Sequence, residues 1–88
     1  MKLILAIIHD HDNEPVSQAL INAGFRVTRI ASTGGFIRRG SSTLLIGVEN
    51  NRVESAIEVI RQSSAVPGET EPHRATLFVL PVEEYLQI

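Results

Sequence analysis

Apolar residues occur along this chain in two kinds of pattern. Four short runs rich in apolar and β-branched residues have the length of a β-strand and lie at residues 3–8, 25–31, 43–48 and 76–80. Between them, two segments carry apolar residues at the spacing of an amphipathic helix, one from Glu14 to Ala23 and one from about Asn51 to Gln62. The pattern predicts the element order β-α-β-β-α-β.

Residues typical of helix ends support both predicted helices. In the first helix, Asp12 or Asn13 is suited to cap the start, Pro15 suits the first turn, and Gly24 suits the end. The second helix starts with an asparagine followed three residues later by Glu54, which resembles a capping box. We therefore expect side-chain caps at the start of both helices.

This element order predicts an α+β, ferredoxin-like fold, in which a four-stranded antiparallel sheet carries both helices on one face. A chain of 88 residues can form one hydrophobic core, so residues 1–88 are expected to make a single domain. The chain has no cysteine, and its hydrophobic residues, 43% of the total, must stabilise that core without disulfides. Residues 63–74 show no periodicity and predict a connector.

Several predicted strands are apolar at consecutive positions instead of alternating with polar residues. This holds for residues 3–8, 44–46 and 77–80. A strand that is covered on one face only should alternate, so both faces of the sheet are expected to be buried. Two helices can cover only one face, and the pattern therefore predicts that the second face meets another copy of the chain.

Charge and hydropathy narrow the classes of partner. The formal net charge of −2 gives no general attraction for nucleic acid, so an anionic ligand needs a local cluster of positive charge.

The apolar run at the start of the chain is broken by His9 and Asp10 and is followed by no cleavage site, so it is predicted to be a strand. No stretch approaches the roughly 20 apolar residues of a membrane span. We expect a cytoplasmic protein without nucleic-acid or membrane partners.

The segment after the first strand contains ligand types for a metal. His9 and His11 alternate with Asp10 and Asp12, and residues two apart in an extended segment point the same way. No third ligand is evident, because His73 lies in the connector, so a solvated strand end leading into a helix cap is the favoured interpretation. No serine or threonine lies near a histidine in a known catalytic signature, and no enzymatic activity is expected.

Residues 25–40 form the most informative segment. It combines strand cations such as Arg26, several hydroxyl groups, the glycine pair Gly34 and Gly35, and the aromatic ring of Phe36. Adjacent glycines allow a ligand to approach main-chain N–H groups, and an aromatic ring can pack on a base. This composition suits a ligand that carries phosphate and rings, but a glycine hairpin turn with solvated arginines explains the residues equally well.

Five motifs, in chain order, carry a resemblance to a known family. They are the opening MKLI followed by Asp10-x-Asp12, the GFRVT of 24–28, the TGGFIR-x-G block of 33–40, the TLLIGV of 43–48 and the ATLFVLPV of 75–82. Together they resemble the PII-like cyclic di-AMP receptors of bacteria, within the nitrogen regulatory PII-like superfamily. The match covers nearly the whole chain, and the Thr-Gly-Gly-Phe block is specific.

The resemblance implies a homotrimer that binds cyclic di-AMP in clefts between neighbouring subunits and signals to an unknown downstream protein, without a cofactor or catalytic residues. It implies that Arg26 and Thr28 serve the phosphates, while Phe36, Ile37 and Phe78 help to enclose adenine. The full set of implied ligand-binding residues is Gly24, Arg26, Val27, Thr28, Gly35, Phe36, Ile37, Ser41, Gly47, Phe78 and Gln87.

The chain departs from the family pattern at several positions. Members commonly carry asparagine where this chain has Gly24 and Ser41, and usually glutamine where it has His9 and His11. The second large loop of the family is reduced here to the stretch around residues 64–74. Two further hypotheses therefore stay open: a PII-like trimer that binds another adenine nucleotide, such as ATP or AMP, and a metal-binding or structural trimer.

Overall fold

A computed structural model describes residues 1–30, 40–65 and 73–88 of the protein. It contains both predicted helices and all four predicted strands, and their ends lie within about two residues of the predicted ones. A single turn of 3-10 helix precedes each α-helix, at Asp10–Asp12 and at Asn50–Arg52. The elements are β1 (Lys2–His9), α1 (Asn13–Asn22), β2 (Arg26–Ile30), β3 (Ser41–Val48), α2 (Val53–Ser63) and β4 (Ala75–Pro81).

The four strands form one antiparallel sheet in the order β2-β3-β1-β4. In the middle of the sheet, Leu5 of β1 lies opposite Leu45 of β3 on one side and opposite Phe78 of β4 on the other. The strands β2 and β4 are the two edges. This topology, with two helices, confirms the predicted α+β, ferredoxin-like fold.

The hydrophobic core lies between the helices and one face of the sheet. On β1, Ile4, Ala6 and Ile8 are almost fully buried, whereas the residues between them are only half-buried. Burying each large aliphatic side chain stabilises the fold by about 1.5–3 kcal/mol. The other buried apolar residues of this core are Val16, Leu20, Phe25, Leu44, Ile46, Val48, Ala56 and Ile60.

The opposite side of the sheet, the open face, is also apolar, but neither α1 nor α2 packs against it. Because side chains alternate along a strand, residues paired across the sheet share a face. Phe78 is 51% exposed and Leu80 is 44% exposed on this face. We define the open face by Leu3, Leu5, Ile7, Ile30, Leu45, Phe78 and Leu80. It is the second apolar face that the sequence pattern predicted.

Asp12 is the N-cap residue of α1, as predicted, but the expected side-chain cap hydrogen bonds are absent from both helices. The Oδ1 atom of Asp12 accepts the N–H of Ala65, and its Oδ2 atom has no partner among the described residues. The 3-10 turn at Asn50–Arg52 moves the start of α2 beyond the proposed capping box, and its N-cap residue, Arg52, makes no side-chain cap bond either.

The predicted end of α1 is confirmed. Gly24 has φ of +89°, its N–H donates to the carbonyl of Ile21, and the N–H of Phe25 donates to that of Leu20. This hydrogen-bond pair is the Schellman arrangement, which needs a left-handed residue at the glycine position.

Within the described ranges, no helix is long and apolar enough to cross a membrane.

Candidate functional site

The sheet register brings four of the predicted ligand residues to the open face. Arg26 of β2 lies opposite Gly47 of β3, and Thr28, two residues further along β2, lies opposite Leu45. Phe78 is in the same row as Thr28, two strands beyond Leu45. With strands about 4.8 Å apart, the row from β2 to β4 spans roughly 14 Å. The arrangement presents a cation, a hydroxyl and an aromatic ring on one surface.

Arg26 differs from the other arginines near it in having no partner among the residues that the structure describes. Arg29 is paired with Glu14 at 2.9 Å, and Arg52 donates to the Ala23 carbonyl at 3.1 Å and stacks over Phe25 at 4.2 Å. Arg26 is exposed and makes no ion pair or hydrogen bond with the residues that the structure describes. Its guanidinium is therefore available to an anion from outside the chain.

Gly47 forms a close approach beside Arg26. A Cβ atom at this position would lie 3.0 Å from the Cε atom of Met1. That distance is tight, and only the flexible end of the methionine side chain stands in the way. The end of Met1 therefore packs over Gly47, and the absence of a side chain at this position allows a group that displaces the flexible methionine to approach the main chain beside Arg26.

The start of the C-terminal tail lies at the same end of the sheet. The N–H of Val82 donates to the carbonyl of Met1 at 3.1 Å. Leu80 is paired with Leu3 in the row of residues across the sheet that contains Arg26, here called the Arg26 row. Gln87 is five residues beyond Val82 and is exposed. The tail thus leaves the sheet near the Arg26 row.

Other predicted site residues lie elsewhere or outside the described ranges. The side chain of Val27 packs against the hydrophobic core, on the opposite face from Arg26. Gly24 is the helix-ending glycine and precedes Arg26 by two residues. Ser41 is buried at the far end of β3, six residues and about 20 Å from Gly47. Residues Gly35, Phe36 and Ile37 lie outside the residues that the structure describes.

Two polar residues that the sequence reasoning did not assign to a site are buried without full satisfaction. Thr43 is 2% exposed on β3, and its hydroxyl has no hydrogen-bond partner among the described residues. Asp12 is also 2% exposed, and its Oδ2 atom has no partner there. Thr43 is a β-branched residue in a strand, where threonine is common, so the sequence does not mark its hydroxyl as functional. Asp12 was considered as a helix cap and as one ligand type of a metal site, but not as a ligand-binding residue.

The histidines of the first turn contact the protein itself. His9 and His11 stack with ring centroids 5.4 Å apart and planes 5° from parallel, and the His9 Nε2 atom hydrogen-bonds to the His73 carbonyl at 3.0 Å. Within residues 1–30, 40–65 and 73–88, no three histidine, aspartate or glutamate side chains are placed to hold a metal ion.

A groove of about 340 Å³ lies between the end of α2 and the start of β4. Arg61 and Arg74 line it together with apolar residues of both elements, and Arg74 donates to the Arg61 carbonyl at 3.2 Å. None of the predicted ligand residues that the structure describes lines this groove.

Comparison with known proteins places the chain in a family. The model of the cyclic-di-AMP receptor family matches residues 1–70. This protein belongs to the cyclic-di-AMP receptor family. The match confirms the family that the sequence motifs resembled, and it includes the positions of Arg26, Thr28 and Gly47. Phe78 and Gln87 lie beyond the matched residues.

A solved structure with a similar fold supports the same architecture. It is the crystal structure of a functionally unknown protein from Pediococcus pentosaceus ATCC 25745, which is 32% identical in sequence. The similarity covers 99% of this chain and 96% of that chain, with a TM-score of 0.78. The similarity therefore supports the ferredoxin-like arrangement of the described helices and strands.

Proposed function

We propose that this protein is a homotrimeric receptor that binds cyclic di-AMP between its subunits, catalyses no reaction and passes its occupancy to a protein partner. Membership of the cyclic-di-AMP receptor family supports the ligand class. The proposal rests at the level of atoms on the exposed guanidinium of Arg26, which lies on the open face opposite Gly47 and is unpaired within the described part of the chain.

Arg26 and Thr28 are the proposed phosphate contacts. A cyclic dinucleotide carries two phosphodiester charges, while the protein has a net charge of −2, so binding depends on a local cation. A charge-assisted hydrogen bond to a phosphate in a partly desolvated cleft contributes about 1.5–3 kcal/mol. Arg26 has no acidic partner to displace first. The hydroxyl of Thr28 lies on the same face and is the proposed second donor.

The open face is the proposed contact between subunits. Its apolar side chains are contiguous across β3, β1 and β4, and Phe78 and Leu80 are half exposed in the single chain. A contiguous apolar surface of this kind is typical of an interface. Association of three copies through it would bury these residues and place the Arg26 row beside a neighbouring subunit.

The distance between Ser41 and Arg26 also favours a shared site. Ser41 lies about 20 Å along β3 from Gly47, the residue opposite Arg26. Both positions correspond to ligand contacts of the family, and one chain does not bring them together. In the proposal, a ligand in an intersubunit cleft receives Arg26 from one subunit and Ser41 from the next.

The experiment is calorimetric titration of the purified protein with cyclic di-AMP, cyclic di-GMP, ATP and AMP, with its mass measured by light scattering. We expect a trimer that binds cyclic di-AMP most tightly, at one ligand for each subunit. Preference for ATP or AMP would support the other adenine-nucleotide receptor, for which Gly24 and Ser41 leave room. Absence of binding to all four ligands would contradict the proposal.

A further inference from the structure

The groove between the end of α2 and the start of β4, here called the α2–β4 groove, is both apolar and cationic. Ile57, Ile60 and Leu77 line it and belong to the hydrophobic core or pack against it, so they form its floor. Arg61 and Arg74 line the same groove. A surface of this composition is complementary to a segment that carries both apolar and acidic side chains.

The two arginines of the groove differ in whether an acidic side chain already neutralises them. Arg61 is paired with Glu58, three residues before it on α2. Arg74 donates to the Arg61 carbonyl at 3.2 Å and makes no ion pair with the residues that the structure describes. Arg74 is also partly buried, and water screens such a charge less than a fully exposed one. Arg74 is therefore the cation that an acidic group in the groove would meet.

The C-terminal tail, residues 82–88, has the complementary chemistry. Leu86 is 71% exposed, and Tyr85 and Ile88 are exposed as well. Glu84 is exposed and makes no ion pair within the described part of the chain. Along an extended segment alternate side chains point the same way, so Glu84 shares a side with Leu86 and Ile88. One side of an extended tail thus presents an acid followed by two large apolar groups.

The tail leads away from the groove of its own chain. Pro81 lies opposite Lys2, and the N–H of Val82 donates to the Met1 carbonyl, so the tail starts at the end of the sheet where β1 begins. The groove lies at the other end of β4, beside Ala75, about 20 Å away. Residues 82–88 include none of the residue types that favour a tight turn back toward it. The occupant that fits is therefore the tail of another copy.

The groove lies at the end of the sheet that a neighbouring tail would reach. Ala75 is opposite Ile8, and Ile8 is opposite Ser42, so the groove is at the same end as Ser41. The proposed intersubunit cleft brings Arg26 of one subunit to Ser41 of the next. Because the tail starts near the Arg26 row, a tail that crosses this cleft arrives at the end of the neighbouring sheet that carries the groove.

We propose that the tail of one subunit binds in the α2–β4 groove of the neighbouring subunit, with Leu86 and Ile88 on the apolar floor and Glu84 paired with Arg74. Gln87 lies on the other side of the tail and stays available to the ligand cleft. The proposal rests on the proposed function in one respect, namely that the neighbour is the adjacent subunit of the proposed trimer. It adds a contact between subunits that is separate from the open face.

Disulfide trapping tests the contact, because the chain has no cysteine of its own. A tagged chain with Leu86→Cys and an untagged chain with Ile57→Cys are co-expressed, purified together and oxidised. A disulfide forms only where two Cα atoms approach to within about 7 Å. We expect a covalent dimer of the two unlike chains on a non-reducing gel, and its absence would overturn the proposal.

Ile21→Cys in place of Ile57→Cys is the matched control. Ile21 is 52% exposed on α1 and does not line the groove, so it should give no dimer of unlike chains. An equal yield from both positions would refute the contact, because the tail would then collide with the surface at random. A chain that carries both Leu86→Cys and Ile57→Cys provides a further check. A disulfide that forms only within that single chain would assign the groove to its own tail and refute the proposal.

Charge reversal tests the proposed pair within the trapped contact. Glu84→Arg and Arg74→Glu should each slow formation of the disulfide about fivefold, the upper limit of what a partly exposed ion pair contributes. Combining both changes should restore the rate, because the pair is then formed with its charges exchanged. Glu83→Arg, on the other side of the tail, should leave the rate unchanged. No recovery in the double variant, or an equal effect of Glu83→Arg, would contradict the pairing.

Light scattering of the same samples separates this proposal from the proposed function. A trimer that forms no disulfide between unlike chains would refute the tail contact and leave the proposed receptor standing. A mass of one chain would contradict the proposed trimer itself, and the tail contact with it.

Discussion

At the scale of single residues, two arginines on one strand have opposite environments. Arg26 and Arg29 are three positions apart on β2, so their side chains lie on opposite faces of the sheet. Arg29 is paired with Glu14, while Arg26 has no partner among the described residues. The register, and not the residue type, decides which cation is available to a ligand.

Replacing Arg26 by alanine should weaken binding of cyclic di-AMP about 10- to 100-fold, the range that follows from losing one charge-assisted hydrogen bond. The proposed trimer should be unchanged, because Arg26 makes no ion pair or hydrogen bond with the described residues. Calorimetric titration measures the affinity. Arg29→Ala is the control, and it should bind within about twofold of the parent. A larger loss of affinity in Arg29→Ala than in Arg26→Ala would show that the phosphates bind on the face of the sheet opposite to the proposed one.

Gly47→Ala should reduce ligand affinity more than it reduces stability. The new Cβ atom meets only the flexible end of Met1, so the cost in folding free energy should stay below about 1 kcal/mol. The same atom occupies the space beside Arg26 that the ligand is proposed to use. Urea denaturation and titration of the same sample separate the two effects. A loss of stability without a loss of affinity would make Gly47 a packing residue only.

At the scale of elements, the sequence predicted where strands and helices lie better than how the helices begin. Runs of apolar residues and the helical spacing of Val16 and Leu20 are properties of the segment itself, so they could be recognised directly. Asp12 lies at the predicted N-cap position, but the expected side-chain cap bonds are absent, and the contact that Asp12 does make is distant in sequence. Asp12 bonds to Ala65, a partner 53 positions away that no local pattern reveals.

Gly24 gives a prediction at this scale, because it ends α1 and starts the turn into β2. Its φ of +89° is unfavourable for residues with a side chain, so Gly24→Ala should lower the free energy of unfolding by about 1–2 kcal/mol. Gly24→Asn should cost less, because asparagine tolerates the left-handed region. Urea denaturation compares the three proteins. Equal stability of the alanine and asparagine variants would show that backbone conformation at this position does not limit stability.

At the scale of the whole molecule, the fold was predictable and the site only in part. Element order alone leads to the ferredoxin-like sheet, and the motifs lead to the family. Which site residues share a face depends on strand pairing, which the sequence does not display. Thus Arg26 and Gly47 meet across two strands, while Val27 turns to the core and Ser41 lies at the other end of β3.

The open face provides the test of assembly. Phe78 lies on it and is 51% exposed in the single chain, while Ile21, on the outer side of α1, is 52% exposed. Because each side chain is half exposed, replacing either by glutamate should disturb the folded subunit to a similar, small extent. The two substitutions differ in whether the charge falls on the proposed interface.

We expect the parent protein and Ile21→Glu to have the mass of three 9.7 kDa chains in light scattering. Phe78→Glu should shift the mass toward that of one chain, because a carboxylate buried in an apolar interface is strongly unfavourable unless it is paired. Circular dichroism should show that both variants keep the secondary structure of the parent. A trimer that Ile21→Glu disrupts and Phe78→Glu leaves intact would move the subunit contact from the open face to the helices, and the shared ligand cleft would move with it.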